Sequence, residues 1–387
     1  MSIFRLAPLL CCLALVPLRV SADEGPGTAA PAAVDRAVTQ VSTGVHHSCA
    51  LVASGHVFCW GDNEHGALGD GTTRDSALPV RVKRLRNVKQ VVTGQRFSCA
   101  LKETGRVFCW GRNNTGQLGD GTNDDRPVPG PVSGLRGVTR ISASFGHVCA
   151  IRRTGRAFCW GFGTQGQLGD GLPVSRSLPV RVARLRNVVD VSAGYNHSCA
   201  LTDRGRVFCW GMNAFGALGN GTDDDSSTPV AVKRLTNVTQ VSAGGGHTCA
   251  LRANGVAVCW GWNGDGQLGD GTITDRLLRV RVKRLRGVAH ISAGNVQSCA
   301  LKRDGRAFCW GENGVGQLGN GTTRNSELRT RVRRLRDVLG IAAGNAHGCA
   351  VRGNGRAFCW GSNFEGQLGD GTFANRSLRV RVRRLGG

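Results

Sequence analysis

The sequence predicts an all-β repeat protein, and three observations support this prediction. A cysteine recurs every 50 residues from Cys49 to Cys349, and a second cysteine follows each of them ten positions later. Each 50-residue unit holds four short runs of β-branched or alternating residues bounded by Gly, Asn, Asp or Ser, which favours strands over helices. A fixed period of this length is typical of stacked supersecondary units, so residues 37–387 are predicted to form one repeat domain.

We predict four strands, A to D, in each repeat. In the first repeat they are residues 38–44, 47–53, 56–61 and 78–85. The segment between strands C and D contains "GDGT" at residues 69–72, and this composition is typical of turns.

The turn between strands B and C sets how these two strands pair. Gly55 suits the left-handed position that closes a three-residue hairpin loop with a bulge. Val52 then faces His56, and counting outward places Cys49 opposite Cys59. Directly opposed residues in an antiparallel pair have Cα atoms about 4.5–5.5 Å apart, which a disulfide accepts.

Two alternatives explain the paired cysteines: a disulfide in each repeat, or a zinc site that also uses His47. Repeats two and six have Phe97 and Gln297 at the histidine position, yet both keep both cysteines, which favours the disulfide. The predicted bridges are Cys49–Cys59, Cys99–Cys109, Cys149–Cys159, Cys199–Cys209, Cys249–Cys259, Cys299–Cys309 and Cys349–Cys359.

The N-terminal residues predict export. Arg5 precedes an apolar run, and small residues up to Ala22 fit cleavage of a signal peptide after that residue. The run is too short for a membrane span, which needs about 20 apolar residues. Disulfides also belong to oxidising compartments. We therefore expect a secreted or periplasmic protein without a transmembrane segment, with residues 1–22 as signal peptide and residues 23–36 as a flexible leader.

The stretch "VSAGYNHSCALTDRGRVFCWGMNAFGALGNGT", residues 191–222, closely resembles the repeat of the regulator of chromosome condensation family. It follows the signature A-G-x-x-H, A-L-x-x-x-G-R-V and W-G-x-N-x-x-G-Q-L-G-x-G-T, and all seven repeats match. The resemblance implies a seven-bladed β-propeller with four-stranded blades of 50 residues each. Physical reasoning agrees, because a blade must stack on neighbours to bury both faces and a closed ring leaves no blade unpaired.

The fold does not fix the function. The family that the sequence resembles includes a nuclear exchange factor for a small GTPase, a plant ultraviolet-B photoreceptor and a secreted bacterial inhibitor of β-lactamases. Export and the strict repeat spacing, which leaves no room for a wedge-like insertion, disfavour exchange activity. Photoreception is disfavoured because only Trp262 lies outside the repeated tryptophan position. The paired cysteines in every blade depart from the family pattern and indicate a secreted branch.

The residues that recur in every repeat are interpreted as scaffold. The tryptophans spaced 50 residues apart from Trp60 onward are expected to fill the core of each blade. The histidines that recur from His47 onward are expected to bridge strand ends by hydrogen bonds rather than to bind metal. Residues 222–228, "TDDDSST", lack the ligand spacing of a calcium loop. No paired carboxylate or nucleophile arrangement is apparent, so we expect no enzymatic activity, no metal and no cofactor.

The residues that differ between repeats are the candidates for partner recognition. Strand alternation places the A–B and C–D loops at one end of the ring, the top face, and the B–C turns and D–A links at the other, the bottom face. Aromatic residues on rigidly held loops suit partner binding, although the alternative is that several pack beneath their own loops. The candidate partner-binding residues are Phe97, Phe145, Phe162, Tyr195, Phe215, Trp262 and Phe364.

Charge is segregated along each repeat. The formal net charge is +24, yet residues 61–77 and their equivalents hold 18 of the 26 acidic residues, which predicts an acidic top face and a basic bottom face. Repeats five, six, seven and one are rich in basic residues and form one continuous basic sector in a closed ring. The candidate polyanion-binding residues are Arg81, Lys83, Arg84, Arg281, Lys283, Arg284, Arg331, Arg333, Arg334, Arg381, Arg383 and Arg384.

The basic sector suits a polyanion: a cell-surface polysaccharide, lipid phosphate or extracellular nucleic acid, with nucleic acid not favoured. The alternative is a solvated arginine-rich surface. Together these features predict a monomeric, non-catalytic binding scaffold that recognises a protein or glycan through its top face and anionic surfaces through the basic sector. Two other functions stay open: inhibition of a secreted or periplasmic enzyme such as a β-lactamase, and catalysis in the central pocket of the propeller.

Overall fold

A computed structural model of the chain describes residues 36–385. These residues form seven four-stranded antiparallel sheets, each built from consecutive strands. The sheets pack around a common axis, which confirms the predicted seven-bladed β-propeller. The predicted signal peptide and almost all of the predicted leader lie outside the described residues. No helix between residues 36 and 385 has the length and apolarity needed to cross a membrane.

The four strands of each blade recur at matching positions. The A strands are β1 (Val38–Thr43), β5 (Val88–Thr93), β9 (Val138–Ala143), β13 (Val188–Ala193), β17 (Val238–Ala243), β21 (Val288–Ala293) and β25 (Val338–Ala343). The B strands are β2 (His47–Val52), β6 (Phe97–Lys102), β10 (His147–Arg152), β14 (His197–Thr202), β18 (His247–Arg252), β22 (Gln297–Lys302) and β26 (His347–Arg352). The C strands are β3 (Val57–Gly61), β7 (Val107–Gly111), β11 (Ala157–Gly161), β15 (Val207–Gly211), β19 (Ala257–Gly261), β23 (Ala307–Gly311) and β27 (Ala357–Gly361). The D strands are β4 (Ser76–Arg81), β8 (Arg126–Pro131), β12 (Arg176–Arg181), β16 (Ser226–Ala231), β20 (Arg276–Arg281), β24 (Ser326–Arg331) and β28 (Arg376–Arg381).

The order within each blade is A-B-C-D, and the A strands line the central channel. The predicted boundaries of strands A to C hold to within one residue in the first blade. Strand D was predicted at residues 78–85 but lies at Ser76–Arg81. The chain turns after Arg81, and Val82 and Leu85 are buried in that turn rather than in a strand. Apolar alternation alone therefore did not distinguish the strand from the turn.

The predicted B–C hairpin is confirmed. Val52 donates its backbone N–H to the carbonyl of His56 at 3.0 Å, and Gly55 has a φ of 73°. Cys49 pairs directly with Cys59, with Cα atoms 4.1 Å apart, and the same pairing recurs in all seven blades. Every blade therefore carries a disulfide across its central strand pair, and the zinc alternative is wrong.

The hydrophobic core lies between the blades. Each repeated tryptophan is fully buried and donates its indole N–H to a carbonyl of the preceding blade, as Trp110 does to Ala67 at 2.8 Å. The ring closes in the same way, since Trp60 donates to Gln367 of blade seven. A Cβ at Gly69 would lie 2.6 Å from the Trp110 ring, so only glycine allows this packing.

A second repeated contact joins adjacent B strands. His47 Nε2 lies 2.8 Å from the hydroxyl of Ser98 in the next blade. Because that hydroxyl donates its own proton to the Ala67 carbonyl, it accepts from the imidazole, and His47 carries its proton on Nε2. The same joint recurs at His147–Ser198, His197–Thr248, His247–Ser298 and His347–Ser48. The prediction that these histidines act as hydrogen-bonded bridges is confirmed, and the bridges connect blades.

The two repeats without this histidine also lack its partner. Blade two has Phe97 and the next blade has Val148 in place of the hydroxyl, so that joint is apolar. Blade six has Gln297, and the following blade has Gly348. In both joints the histidine and the hydroxyl are thus absent together, and Gln297 donates instead to the backbone carbonyls of Gly344 and His347.

Side chains in the channel clamp neighbouring A strands. Gln40 bonds both the N–H and the carbonyl of Val91, at 3.1 and 3.0 Å, and Ser42 accepts from the N–H of Thr93. Each of the other six joints of the described ring has the glutamine clamp, the serine clamp or both. Blade seven instead presents Gly340 and Ala342 to blade one, so the closing joint has neither clamp.

Substituting Gly340→Gln is expected to stabilise the ring by about 1 kcal/mol. The new side chain can form the two hydrogen bonds to Val41 that Gln40 forms to Val91, and a Cβ at Gly340 meets nothing within 4 Å. Urea unfolding of the variant measures the gain. The matched control, Gln240→Gly, removes an existing clamp to Ile291 and should cost a similar amount. A loss of stability in Gly340→Gln would contradict the assignment of this joint as unclamped.

Candidate partner-binding site

The A–B and C–D loops meet at the top face, as predicted. In blade four the backbone N–H of Met212, in the C–D loop, donates to the carbonyl of Asn196, in the A–B loop, at 2.9 Å. In blade five the N–H of Trp262 donates to the carbonyl of Gly246 at 2.9 Å. In every blade except the third, which has Gly163, an asparagine two residues after the glycine that ends strand C holds the rest of the loop by hydrogen bonds. Asn213, for example, accepts the N–H of Leu218 and donates to the carbonyls of Thr222 and Asp224. Residues carried by these loops are therefore held on a rigid support.

An apolar cleft of about 310 Å³ opens on the top face between blades four and five. The side chains of Met212, Phe215 and Trp262 form its walls, together with Tyr195. The rings of Phe215 and Trp262 lie 6.2 Å apart at a tilted angle of 43°. We call this site the aromatic cleft. Its residues leave apolar surface open to solvent, since Phe215 is 39% exposed.

The local sequence explains why a cleft forms at this joint. The A–B loop of blade five is Gly244–Gly246, so no side chain fills the space above it. A Cβ at Gly246 would lie 3.2 Å from Trp262 and 3.5 Å from Phe215. Blades three to five also place Phe162, Met212 and Trp262 at the position after the strand-C glycine. The other four blades have Asp62, Arg112, Glu312 and Ser362 there.

Tyr195 separates the aromatic cleft from the central channel. Its ring stacks on Phe145 with centroids 4.6 Å apart, and its hydroxyl donates to Asn345 Oδ1 at 3.1 Å across the channel mouth. Asn295 donates to the same oxygen at 2.8 Å. Burial raises the pKa of Tyr195 to about 12, so the hydroxyl stays a neutral donor. These contacts hold one wall of the cleft in place.

The structure gathers some of the predicted aromatic residues and separates others. Tyr195, Phe215 and Trp262 line the aromatic cleft, whereas Phe145 lines the central channel and stacks on Tyr195 from that side. Phe162 packs over Gly146 in blade three, and Phe364 is 67% exposed in blade seven. Phe97 is fully buried in the core between blades two and three, so its expected exposure to a partner is wrong. Phe97 replaces a buried histidine, which explains its position.

The central channel has a volume of about 260 Å³ and is lined by the A strands of all seven blades. Arg140 Nε lies 2.8 Å from Asp190 Oδ1 within it. Burial raises the pKa of Asp190, against the opposing effect of Arg140, and burial lowers the pKa of His290 to about 4. Sequence reasoning missed this position, where the repeats read Gln40, Gln90, Arg140, Asp190, Gln240, His290 and Gly340. The signal in the sequence is the variation at the third position of each A strand, where a recurring glutamine gives way to charged residues and glycine.

The candidate polyanion-binding residues are all exposed on the turns at the ends of the D strands and in the links that follow. Within the described part of the chain, no group of three or more His, Cys, Asp or Glu side chains has an arrangement that could hold a metal ion. The structure thus has two separate candidate surfaces, the aromatic cleft and the exposed basic residues at the ends of the D strands.

The structure is a repeat propeller in which each blade is one contiguous 50-residue segment. A tryptophan of each blade donates its indole N–H to a carbonyl of the preceding blade. The RCC1-like domain model matches residues 172–386. Models of the regulator of chromosome condensation (RCC1) repeat match residues 54–101 and 104–151 and, for a second model, residues 38–67, 88–117 and 138–167. The chain belongs to the RCC1-like domain family.

Solved structures share this fold over most of the chain. Human WBSCR16 is 25% identical with a TM-score of 0.76, and the match covers 85% of this chain and 94% of that one. Yeast RCC1 (Prp20), in a structure with Kap60, is 22% identical with a TM-score of 0.76, and the match covers 94% of this chain and 90% of that one. At this level of identity, the similarity to the yeast protein shows a common fold alone.

Curated relatives match over single repeats. Ras guanine nucleotide exchange factor C of Dictyostelium discoideum is 46% identical over 52 residues, which are 13% of this chain and 4% of that protein. The mitochondrial RCC1 domain-containing protein RUG3 of Arabidopsis thaliana is 38% identical over 48 residues, 12% of this chain and 11% of that protein. The match thus covers a small part of the length of each relative.

Proposed function

We propose that this protein is a non-catalytic binding scaffold that recognises a protein partner through the aromatic cleft. The observation that carries the proposal is the cluster of Met212, Phe215 and Trp262, which departs from the repeat pattern and leaves apolar surface open on rigid loops. The repeated tryptophans and histidines, by contrast, are engaged in joints between blades. The cleft residues are therefore available for recognition.

The chemistry of the cleft supports an apolar anchor from the partner. Aromatic residues are enriched among the few interface residues that supply most of the binding free energy. A cavity of about 310 Å³ accommodates one or two apolar side chains of a partner loop. Because the loops are already hydrogen-bonded in place, little conformational entropy is lost on binding.

We further propose that the protein works in an oxidising compartment after export. Seven disulfides, one in each blade, support this proposal, because disulfides persist in secreted and periplasmic proteins and are rare in the cytosol. The predicted signal peptide is consistent with it.

Replacing Trp262 and Phe215 by alanine is expected to weaken partner binding by roughly thirtyfold or more, the effect of losing a hot spot of about 2 kcal/mol. The oxidised protein serves as bait against the envelope and medium of the source organism, at low and high salt. A captured protein is then purified, and its Kd for wild type and variant is measured by calorimetry.

The matched control is Phe364→Ala, which removes an exposed aromatic residue from the corresponding loop of blade seven. The control should keep full affinity, and both variants should melt close to the wild-type temperature. Equal affinity of the wild type and the Trp262→Ala/Phe215→Ala variant for every captured protein would refute the proposal. A large fall in the melting temperature of the cleft variant would instead show that these rings serve the core.

A further inference from the structure

The turn after each D strand contains a residue in the left-handed backbone conformation. In blade two this residue is Gly134, with a φ of 67°. In the other six blades it is an arginine with φ between 54° and 62°: Arg84, Arg184, Arg234, Arg284, Arg334 and Arg384. Residues with a Cβ are disfavoured in this conformation, where glycine is accommodated freely. The arginines therefore occupy positions where glycine would fold more easily, and such strain often marks function.

Four of these arginines belong to the blades that form the basic sector. We call Arg84, Arg284, Arg334 and Arg384 the arginine belt. Their side chains are exposed, and Lys83, Lys283, Arg333 and Arg383 directly precede them. Among the ion pairs of the described residues, none involves a belt arginine or one of these four preceding residues. The belt is thus a run of unneutralised positive charge.

A second set of arginines braces the backbone of this region. Arg279 Nε donates to the carbonyl of Arg234 at 2.7 Å, and Arg329 and Arg379 donate in the same way to Arg284 and Arg334. Blades one to four have Pro79, Pro129, Pro179 and Pro229 at the bracing position and cannot form this bond. Two belt arginines are therefore held in place by like-charged neighbours. The pKa of Arg379 is lowered by burial first, and then by repulsion from Arg352 and Arg334.

The aromatic rings nearest to these braces are covered. The guanidinium of Arg329 lies 4.6 Å from the centre of the Phe308 ring, and that of Arg379 lies 4.3 Å from Phe358. Proteins that bind single-stranded nucleic acid stack bases on open aromatic faces, and these two rings do not offer one. The exposed guanidinium groups of the belt instead match anionic groups that accept two hydrogen bonds, such as carboxylate and phosphate, and sulfate has the same tetrahedral arrangement of oxygens as phosphate.

We propose that the arginine belt binds a linear polysaccharide that carries repeated sulfate or carboxylate groups. Successive blades present one belt arginine each, so an extended chain can contact several in turn along the curved bottom of the ring. The seven disulfides favour a ligand found outside the cytosol. This surface is separate from the aromatic cleft, and binding there does not depend on the protein partner.

The test uses the intact, oxidised protein and a heparin oligosaccharide of defined length as the probe. The variant replaces Arg84, Arg284, Arg334 and Arg384 by glycine, which removes the charges and also relieves the backbone, so the variant should fold. Affinity is measured by calorimetry over a series of salt concentrations. We expect the variant to bind at least tenfold more weakly, with a salt slope that is smaller by roughly three or four.

A matched control removes four exposed arginines from the bottom of blades two and three: Arg136→Gln, Arg153→Gln, Arg184→Gly and Arg186→Gln. This control has the same net charge as the belt variant and should keep most of the wild-type affinity. Equal weakening in both variants would overturn the proposal in favour of a general charge effect. Duplex DNA that binds wild type as tightly as heparin, with the same loss in the belt variant, would overturn the assignment to a polysaccharide.

Discussion

Acidification from pH 7 to pH 5 is expected to destabilise this protein strongly. The five bridging histidines are fully buried, and burial lowers their pKa values to about 4 for His47 and His197 and to about 3 for His147, His247 and His347. Four of these rings also have Nδ1 buried without a hydrogen-bond partner among the described residues. A proton added there would place an unpaired charge between two blades.

The direction of the pH effect follows from the unfolded chain, in which histidine has a pKa of about 6.5. Since the folded pKa values lie below this, the unfolded state takes up protons first as the pH falls. The stability from the neutral histidines is complete above about pH 6.5 and is lost progressively towards pH 4. At pH 5 the loss is on the order of 2 kcal/mol for each histidine, because one pKa unit corresponds to about 1.4 kcal/mol.

Urea unfolding at pH 7 and pH 5 measures this loss. The chain itself supplies the control, since the joint between blades two and three is naturally Phe97 with Val148. The double variant His247→Phe/Ser298→Val copies that joint and removes one titrating bridge. Its free energy of unfolding should fall by about 2 kcal/mol less than that of the wild type. An identical pH dependence in both proteins would show that other groups, such as His290 in the channel or the carboxyl groups, cause the acid sensitivity.

Loss of the disulfides is expected to have the other large effect. Each bridge closes a loop of about eleven residues, and the chain-entropy model assigns about 2.7 kcal/mol to such a loop as an upper estimate. All fourteen half-cystines are fully buried, so a reductant reaches them only when a blade opens. The native protein should therefore resist reductant at room temperature, and protein that is unfolded and reduced should fail to refold to the same stability.

Thermal unfolding and refolding with and without a phosphine reductant measures this effect. The variant Cys199→Val/Cys209→Val removes one bridge and keeps apolar side chains of similar size in blade four. We expect it to lose about 2–3 kcal/mol of stability in the oxidised state. Reversible refolding of the fully reduced wild type to its original melting temperature would contradict a structural role for the bridges.

The sequence could predict the fold because each repeat determines its own local structure. Gly55 sets the turn of the hairpin and so places Cys49 opposite Cys59. The same pattern recurs in seven repeats, so strand assignments that are ambiguous in one repeat are supported by the others. The end of strand D was misplaced because Val82 and Leu85 continue the apolar alternation while the chain turns inward. A pattern of buried residues does not by itself distinguish a strand from a tightly packed turn.

The candidate site was predicted only in part. Sequence alternation correctly assigned loops to the top face, but it could not show that Tyr195, Phe215 and Trp262 surround one cavity. That arrangement depends on Gly245 and Gly246 leaving space, which is a matter of packing. Phe97 was misjudged because it was grouped with the aromatic residues of the top-face loops, although it stands at the first position of the predicted strand B. It begins strand β6 and takes the place of a buried histidine.

The hydrogen-bonded joints between blades are compatible with a ring that arises by duplication of one segment. Every blade is one uninterrupted segment, and blades one, four and five each carry the histidine half of one bridge and the hydroxyl half of the preceding one. A gene segment of 50 codons thus encodes a unit that is complementary to copies of itself, and duplication supplies both halves together. The same complementarity makes the order of the segments circular: a chain that starts at a different blade presents the same set of joints. Within the described ring, the joint between blades seven and one differs from the others in that Gly340 and Ala342 provide no clamp.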